Sequence, residues 1–403
     1  MLFLGTVVHK YGGTSMGSIE KIKSVARRLI SEKEKGNDVV AVVSAMGKTT
    51  NKLVELTKEI SNNPDKREFD MLLSIGEQVS ISLLAIAIKS YGYDAISFTG
   101  YQAGIKTKGM HTKSNIVDID IDKIRDNLGQ GKIVIVAGFQ GVNENGDITT
   151  LGRGGSDTTA VALAAKLGCD CTIYTDVEGI YPVDPKLYPN AKKLDYIGYK
   201  EMIEMAKLGA GVMETTSVEI GYKNNVSIYV ASSSKDIKGT YITEKENYKN
   251  NKSVVGIAIN DNTSIFTIKN VLLKSNDMSL ISGILSDENL SIKVINQISS
   301  NGDYTDFSLV ISKGDLGCID EAINKIKTKL NHIDISKDLD VTTISVVGTG
   351  VSNNNIIANI LEILKNNDIK FKKIITSELS ISFIVDMKYK TRIIELLGNE
   401  FDL

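Results

Sequence analysis

Cysteine and histidine are too few and too scattered in this chain to build a site by themselves. Cys169, Cys171 and Cys318 are its only cysteines, which excludes a disulfide framework. Cys169-Asp170-Cys171 opens a strand and reads as core rather than as a metal site. His9, His111 and His332 lie far apart, so no histidine pattern supports metal or triad chemistry. Proline occurs four times, and three of these fall between Pro182 and Pro189. Neither sign of charge dominates: a net charge of −2 gives no electrostatic case for nucleic acid or an anionic membrane. No run approaches about 18 apolar residues, and the N-terminus lacks the basic flank and apolar stretch of a signal peptide. These absences predict a cytoplasmic protein. With 42% hydrophobic and 24% charged residues over 403 positions, two or three soluble domains are expected.

What the chain has is glycine, placed where chemistry needs it. Thr150-Leu151-Gly152-Arg153-Gly154-Gly155-Ser156-Asp157-Thr158-Thr159-Ala160 follows the buried strand Ile133 to Ala137 and the turn Gly138-Phe139-Gln140-Gly141. It leads into an Ala-rich helix from Thr159 to Leu167. Its glycines permit positive φ and close approach of backbone to a ligand. The amides that open the helix favour an anion.

The first half alternates strand, loop and helix at least four times. Gly5 to Lys10 is a strand ending in Lys10, followed by the turn Tyr11 to Gly17 and a helix from Ser18. Asp38 to Ser44 is an apolar run suited to a strand covered on both faces. Helix fills Arg67 to Ser90, with Ser74-Ile75-Gly76-Glu77 at a turn or within it, and Tyr93 to Thr99 is a strand. This rhythm predicts an α/β fold, an αβα sandwich with a mainly parallel sheet, over residues 1–245. Ligands of such sheets sit beyond the carboxyl ends of the strands, where Lys10, Ser44, Gly138 and Asp176 fall. Glu244 to Lys252 is polar and marks a linker. Beyond it two βαββα units repeat, over 254–335 and 336–403, and predict a pair of ferredoxin-like modules.

Several fragments tempt. Gly47-Lys48-Thr49 lacks the upstream glycine of a phosphate loop, since position 42 is Val. Gly348-Thr349-Gly350 has Asn353 where a dinucleotide fingerprint needs glycine. Lys10 before Gly12-Gly13-Thr14-Ser15 suits a phosphate site, with amides cradling oxygens beside a point charge, or is an exposed strand-end lysine. Arg153 and Asp157 form a carboxylate fork with its orienting acid, or a salt bridge at a helix start. Glu77 is a ligand contact or a helix-surface charge. The Pro-stiffened loop Thr175 to Lys186 is a nucleotide pocket or a plain connector.

Taken together these pieces resemble the aspartokinases of the amino-acid kinase superfamily over nearly the whole chain. The carrying residues are Lys10-Tyr11-Gly12-Gly13-Thr14-Ser15, Val42 to Gly47 with Thr50-Asn51, Leu73-Ser74-Ile75-Gly76-Glu77, Gly152 to Asp157, Thr175 to Lys186, and Ser377 to Ser382. The resemblance implies phosphoryl transfer from ATP, with magnesium held mainly by its phosphates, to the side-chain carboxylate of L-aspartate. The product would be 4-phospho-L-aspartate, at the first step of the lysine, threonine and methionine branch. By the same resemblance Lys10 and Asp157 are catalytic. Ser44, Thr50, Glu77, Phe139, Arg153 and Ser156 hold aspartate. Gly12, Gly13, Ser15, Thr175, Asp176, Tyr181 and Lys186 hold the nucleotide.

The C-terminal repeat resembles paired ACT modules. This implies feedback by lysine or threonine through Ser275, Asn276, Asp277 and Gln297, and a homodimer or homotetramer assembled through these modules. Lys293 stands where an acidic residue commonly faces a cationic effector. Two further departures concern the nucleotide end: Gly211 replaces a family lysine, with Lys48 or Lys207 as substitutes, and Thr216 replaces an arginine. The competing readings are a glutamate- or carbamate-kinase-type enzyme and an amino-acid sensor with a weakened kinase site.

Overall fold

A computed structural model describes residues 5–244, 252–272, 276–288, 290 and 292–403. It divides into two compact units, Met1–Pro182 with Ala191–Lys207 and Gly211–Lys252, and Val183–Asn190 with Leu208–Ala210 and Ser253–Leu403. Of the expected linker Glu244 to Lys252, residues 245–251 lie outside the described residues.

The first unit opens with β1 (Thr6–Tyr11), α1 (Ile19–Glu34), β2 (Asp38–Val43), α2 (Thr49–Ile60), α3 (Lys66–Leu73) and α4 (Ile75–Ser90). Next come β3 (Ala95–Phe98), β4 (Ile105–Lys108), β5 (Asn115–Ile119), α5 (Asp122–Gly129), β6 (Ile133–Ala137), β7 (Gln140–Val142) and β8 (Ile148–Thr150). It closes with α6 (Gly155–Leu167), β9 (Cys171–Thr175), β10 (Tyr196–Ile197), α7 (Tyr199–Leu208), α8 (Thr215–Asn224), β11 (Ile228–Ser232) and β12 (Thr240–Ile242).

Eight strands form a sheet in the order β10-β12-β11-β9-β1-β2-β6-β3, parallel apart from the β11–β12 pair. The central strands are apolar along their length because helices cover both faces; Ile133 to Ala137 are all fully buried. Helix α1 starts where Ser18 accepts the Lys21 N–H at 3.3 Å. Its buried stripe of Ile22, Val25, Ala26, Leu29 and Ile30 packs with Leu84 and Ile88 of α4 on the sheet.

Three local expectations are corrected here. Lys66–Ser90 is long and apolar enough to cross a membrane, with mean hydropathy 1.8, yet half of that window is buried inside the protein, as befits core helices. The stretch Gly138 to Gly141 is more than a turn: Phe139 (φ 72) makes the bend, and Gln140–Val142 joins a second sheet, β5-β4-β7-β8. Its strands of three to five residues are too short to show a period. Helix α6 begins at Gly155 rather than Thr159, so Ser156 and Asp157 belong to its first turn.

The second unit contains β13 (Gly256–Leu272), α9 (Asp277–Asp287), β14 (Ile292–Asn301), β15 (Tyr304–Ile311), α10 (Leu316–Lys329), β16 (Asp334–Val347), α11 (Asn354–Asn366), β17 (Phe371–Thr376), β18 (Ser380–Asp386) and α12 (Lys390–Glu400). The sheet is antiparallel, in the order β14-β15-β13-β16-β18-β17. Both βαββα modules are present, but they share two long strands. Ile257 pairs with Val346 at one end of β13, and Thr267 pairs with Ser336 at the other. A division at 335/336 therefore falls inside β16. The polar run Asn260-Asp261-Asn262, where the register shifts, conceals the continuity of β13 from a hydrophobic pattern.

Candidate active site

Lys10 lies one residue from the end of β1, paired with Val42 of β2 on one side and Ile173 of β9 on the other. It is 8% exposed, and its Nζ stands 2.6 Å from Asp157 Oδ1 in the first turn of α6. The helix start is made by glycine: Gly152 and Gly154 have φ of 78° and 64°, and Gly154 is the N-cap. An acidic residue in a first turn suits the helix dipole. Here it also neutralises a buried ammonium, so neither charge is left alone.

The turns after β1 and β2 interlock. The Gly47 N–H donates to the Gly13 carbonyl at 2.9 Å. A methyl group on Gly13 would stand 2.9 Å from the Ala45 carbonyl oxygen, so only glycine fits. On Gly12 a methyl group would lie 3.5 Å from Lys10 Nζ, which places the ammonium over the turn. Ser15 is buried in the same turn, and its N–H donates to the Gly12 carbonyl at 3.0 Å. Ser44 follows β2 half-buried, and Thr50 is half-buried in the first turn of α2.

Glu77 is not a helix-surface charge. It is 3% exposed in the first turn of α4, and its Oε1 accepts the Ala45 N–H at 3.0 Å. Oε2 is buried and has no hydrogen-bond partner among the described residues. Burial pushes its pKa up to about 7, against the pull of the Ala45 and Glu77 amides. A buried carboxylate with one oxygen free is a site for a cation.

Phe139 and Ser156 also converge on the glycine stretch. A methyl group on Gly138 would meet Ser156 Oγ at 2.6 Å, and one on Gly155 would meet the Phe139 ring at 3.0 Å. The Phe139 N–H donates to Thr159 Oγ1 at 3.2 Å, locking the bend onto α6.

Arg153 is exposed and lines a cleft of about 870 Å³ with Thr112, Lys113, Glu214, Thr216 and Lys223.

In the loop after β9, Thr175 Oγ1 donates to Asp176 Oδ1 at 3.2 Å. The Tyr181 hydroxyl donates to Glu178 Oε2 at 3.2 Å, and Lys235 stands 2.6 Å from Glu178 Oε1. Lys186 is exposed and belongs to the second unit. Gly211 faces open space, and Lys207 is engaged with Glu219 at 3.2 Å. In the second unit Ser275 and the side chain of Lys293 lie outside the described residues. Asn276 caps α9 without a side-chain bond, and Gln297 is exposed. Asp277 is buried, its Oδ2 accepting the Leu272 N–H at 3.1 Å and 2.9 Å from His332 Nε2, so it ties the end of β13 to the first turn of α9. Cys171 is core and Cys169 is half-buried; burial pushes the Cys169 thiol up to about 12 and raises the Cys171 thiol well above its ordinary value.

One residue escaped the sequence altogether. Asp70 of α3 is fully buried and accepts from the Thr112 N–H at 3.0 Å and from Thr150 Oγ1 at 2.5 Å, with His111 Nδ1 at 2.8 Å. It ties α3 to the strand that delivers the Gly152–Gly155 stretch. Two of its partners, His111 and Thr112, lie about 40 residues away and Thr150 about 80, so no local pattern announces it.

A glycine cradle at a helix start, a buried lysine paired with the first-turn acid, and a parallel sheet ending beneath them define a nucleotide-dependent kinase. Residues 5–232 match the family described as "Amino acid kinase family", and the chain belongs to it. Within that family it groups with the aspartokinases. It is 44% identical over 402 residues to "Aspartokinase" of Bacillus sp. (strain MGA3) and to "Aspartokinase 2" of Bacillus subtilis (strain 168), each time with 99% of this chain and 98% of the relative covered. A solved aspartate kinase from Synechocystis is 35% identical, with a TM-score of 0.55 over 99% of this chain and 69% of that one. E. coli aspartokinase III with aspartate and ADP shares the fold at 21% identity, with a TM-score of 0.79 over 99% of this chain and 100% of that one. The chain is an ATP-dependent kinase of this group.

Proposed function

We propose that the protein transfers the γ-phosphoryl group of ATP to the side-chain carboxylate of L-aspartate, giving 4-phospho-L-aspartate and ADP. The observation that carries this reading is the pair of buried charges, Lys10 held by Asp157 and Glu77 with a free oxygen. An aspartate side chain is ionised at neutral pH, so no general base is needed. The protein's work is to bring two anions in line and neutralise their charge. Lys10 stabilises the charge on the phosphoryl group in transit, and Asp157 holds Lys10 in position. The substrate's ammonium meets Glu77 Oε2, Arg153 turns inward to pair with a substrate carboxylate, and Ser44, Thr50, Phe139 and Ser156 complete the pocket. The amides of Gly12, Gly13 and Ser15 receive phosphate oxygens, while Thr175, Asp176 and Tyr181 hold the rest of the nucleotide.

Magnesium, when bound, supplies charge neutralisation on the phosphates. Among the described residues no group of three or more His, Cys, Asp or Glu side chains gathers to hold an ion. Asp157 is engaged by Lys10, and the reading takes magnesium to arrive on the ATP phosphates.

The second unit supports feedback by an end-product amino acid, lysine or threonine, of the lysine, threonine and methionine branch. It also supports a homodimer or homotetramer: its outermost strands β14 and β17 expose Ile295, Phe371 and Ile374 at 52%, 40% and 37%. The test is an assay with ATP, magnesium, hydroxylamine and a panel of acids. Hydroxamate from aspartate and not from glutamate or carbamate is expected; product from another acid alone sinks the reading.

A further inference from the structure

The elbow between α3 and α4 is bonded to both ends of the candidate pocket. The helices meet at Ser74, which is fully buried and donates its N–H to the Asp70 carbonyl at 3.1 Å. Glu77 stands just beyond it, in the first turn of α4. Two side-chain bonds run from this elbow to one place on the β7–β8 pair. Asp70 Oδ1 accepts from Thr150 Oγ1 at 2.5 Å, and the Ser74 carbonyl accepts from Gln140 Nε2 at 2.8 Å. Gln140 and Thr150 are register partners, and both are buried. The chain leaves Thr150 directly into the glycine stretch and the turn of α6 that carries Asp157.

The same carboxylate holds a strained loop. Thr112 is a β-branched residue at φ 71°, a left-handed conformation that such side chains rarely adopt. Its N–H donates to both oxygens of Asp70, at 3.1 and 3.0 Å, and His111 Nδ1 lies 2.8 Å from Oδ2. Hydrogen bonds to a carboxylate are strong, which offsets the backbone cost. The Ser114 N–H donates to the Thr150 carbonyl at 3.0 Å, so the loop is bound to the strand as well. A methyl group on Gly152 would stand 3.3 Å from the Thr112 carbonyl oxygen, so the loop rests on the first glycine of the stretch.

We propose that Asp70 is a positioning residue that determines specificity: by bonding the α3–α4 elbow to Thr150 and Thr112, it sets the span between Glu77 and the glycine stretch, and so the length of acid the pocket accepts. This rests on the reading of Glu77 as the partner of the substrate ammonium and of Arg153 and Ser156 as flanking a substrate carboxylate. Glutamate is one methylene longer than aspartate, a difference that ordinary pocket contacts discriminate by about 10- to 200-fold. A fixed span adds to this, because a misplacement of about 1 Å can cost about 100-fold in rate. Asp70 therefore acts on substrate choice without touching the substrate.

The test is a cycle of four proteins, the unaltered chain, Asp70→Asn, Thr112→Gly and the double variant, each assayed below its melting temperature. Hydroxamate formation gives kcat and KM for aspartate and for glutamate, and glutamate is also measured as a competitor of aspartate. Asp70→Asn keeps the size of the side chain but exchanges one acceptor oxygen for a donor. It is expected to raise the aspartate KM about tenfold and to lower the preference for aspartate over glutamate about tenfold. Thr112→Gly keeps the N–H and removes the strain. It is expected to raise the melting temperature and to leave the aspartate KM within about twofold. In the double variant the aspartate KM should fall back about threefold, because the loop no longer springs from a lost anchor. An unchanged preference in Asp70→Asn, whatever its melting temperature, overturns the proposal, as does a double variant no better than Asp70→Asn. Should Asp70→Asn not fold, Thr150→Val removes one bond of the same elbow and is expected to lower the preference about threefold. The reading beneath fails separately, if the unaltered chain gives no hydroxamate from aspartate.

Discussion

The two units treat buried polarity in opposite ways. The parallel-sheet unit buries Lys10, Asp70 and Glu77, and it holds six of the seven buried side-chain atoms lacking a hydrogen-bond partner among the described residues: His9 Nδ1, Tyr11 Oη, Ser15 Oγ, one Arg28 nitrogen, Glu77 Oε2 and Asp157 Oδ1, the last paired with Lys10. The antiparallel unit has one, Ser308 Oγ. Its buried acid, Asp277, is answered by a backbone N–H and a histidine. An unpaired buried polar group costs about 1–3 kcal/mol. Of these, Glu77 Oε2 lies in the candidate site, where the first unit keeps an unpaired buried oxygen, whereas the buried acid of the second unit is paired.

The sharpest way to break this comparison is Lys10→Met. Turnover is expected to fall about 10³-fold or more, the scale of losing a charge aimed at the transition state. Single-turnover kinetics reads it, and retention of a tenth of the activity would remove Lys10 from the chemistry. Glu77→Gln comes next, with an aspartate KM raised about 100-fold. The same variant should be more stable at pH 8. Because burial lifts the Glu77 pKa from 4.5 to about 7, the folded protein keeps a proton there that the unfolded chain has lost. Stability from this group is therefore fully present below pH 4.5 and is lost as pH rises to 7, by about 3 kcal/mol. Urea titrations of both proteins at pH 5 and pH 8 should diverge only at the higher pH.

Asp70→Asn probes the support beneath the site. It removes a charge that three residues share and is expected to cost about 2–3 kcal/mol in chemical denaturation. An unchanged midpoint would show that the glycine stretch holds itself. Ser308→Ala is the smallest effect: deleting an unpartnered hydroxyl in the second unit should shift stability by less than about 1 kcal/mol. A loss larger than that would place a hidden partner on Ser308 and blur the contrast between the units.

Much of this was visible in the residues. The apolar runs Asp38–Val43 and Ile133–Ala137 became central strands because such runs are stable only between two layers. The two βαββα units after the linker followed from their repeat. The small second sheet was not visible, since its strands are too short to carry a period. Nor was the sharing of β13 and β16, because strand pairing about 80 residues apart leaves no local trace. At the site, Lys10, Gly13 and Asp157 were marked by unusual residues at turns. Asp70 carries no such mark; it gains its role from what folds against it.

The sequence by itself determined the order of the central strands and helices, the glycine positions and the chemical types at the strand ends, because these depend on neighbours along the chain. Tertiary structure alone decided which charges are buried and that Glu77 has an oxygen without a hydrogen-bond partner among the described residues. Burial and pairing are properties of distance in space, and in this chain the decisive partners stand 32 residues apart for Glu77 and Ala45 and 80 for Asp70 and Thr150.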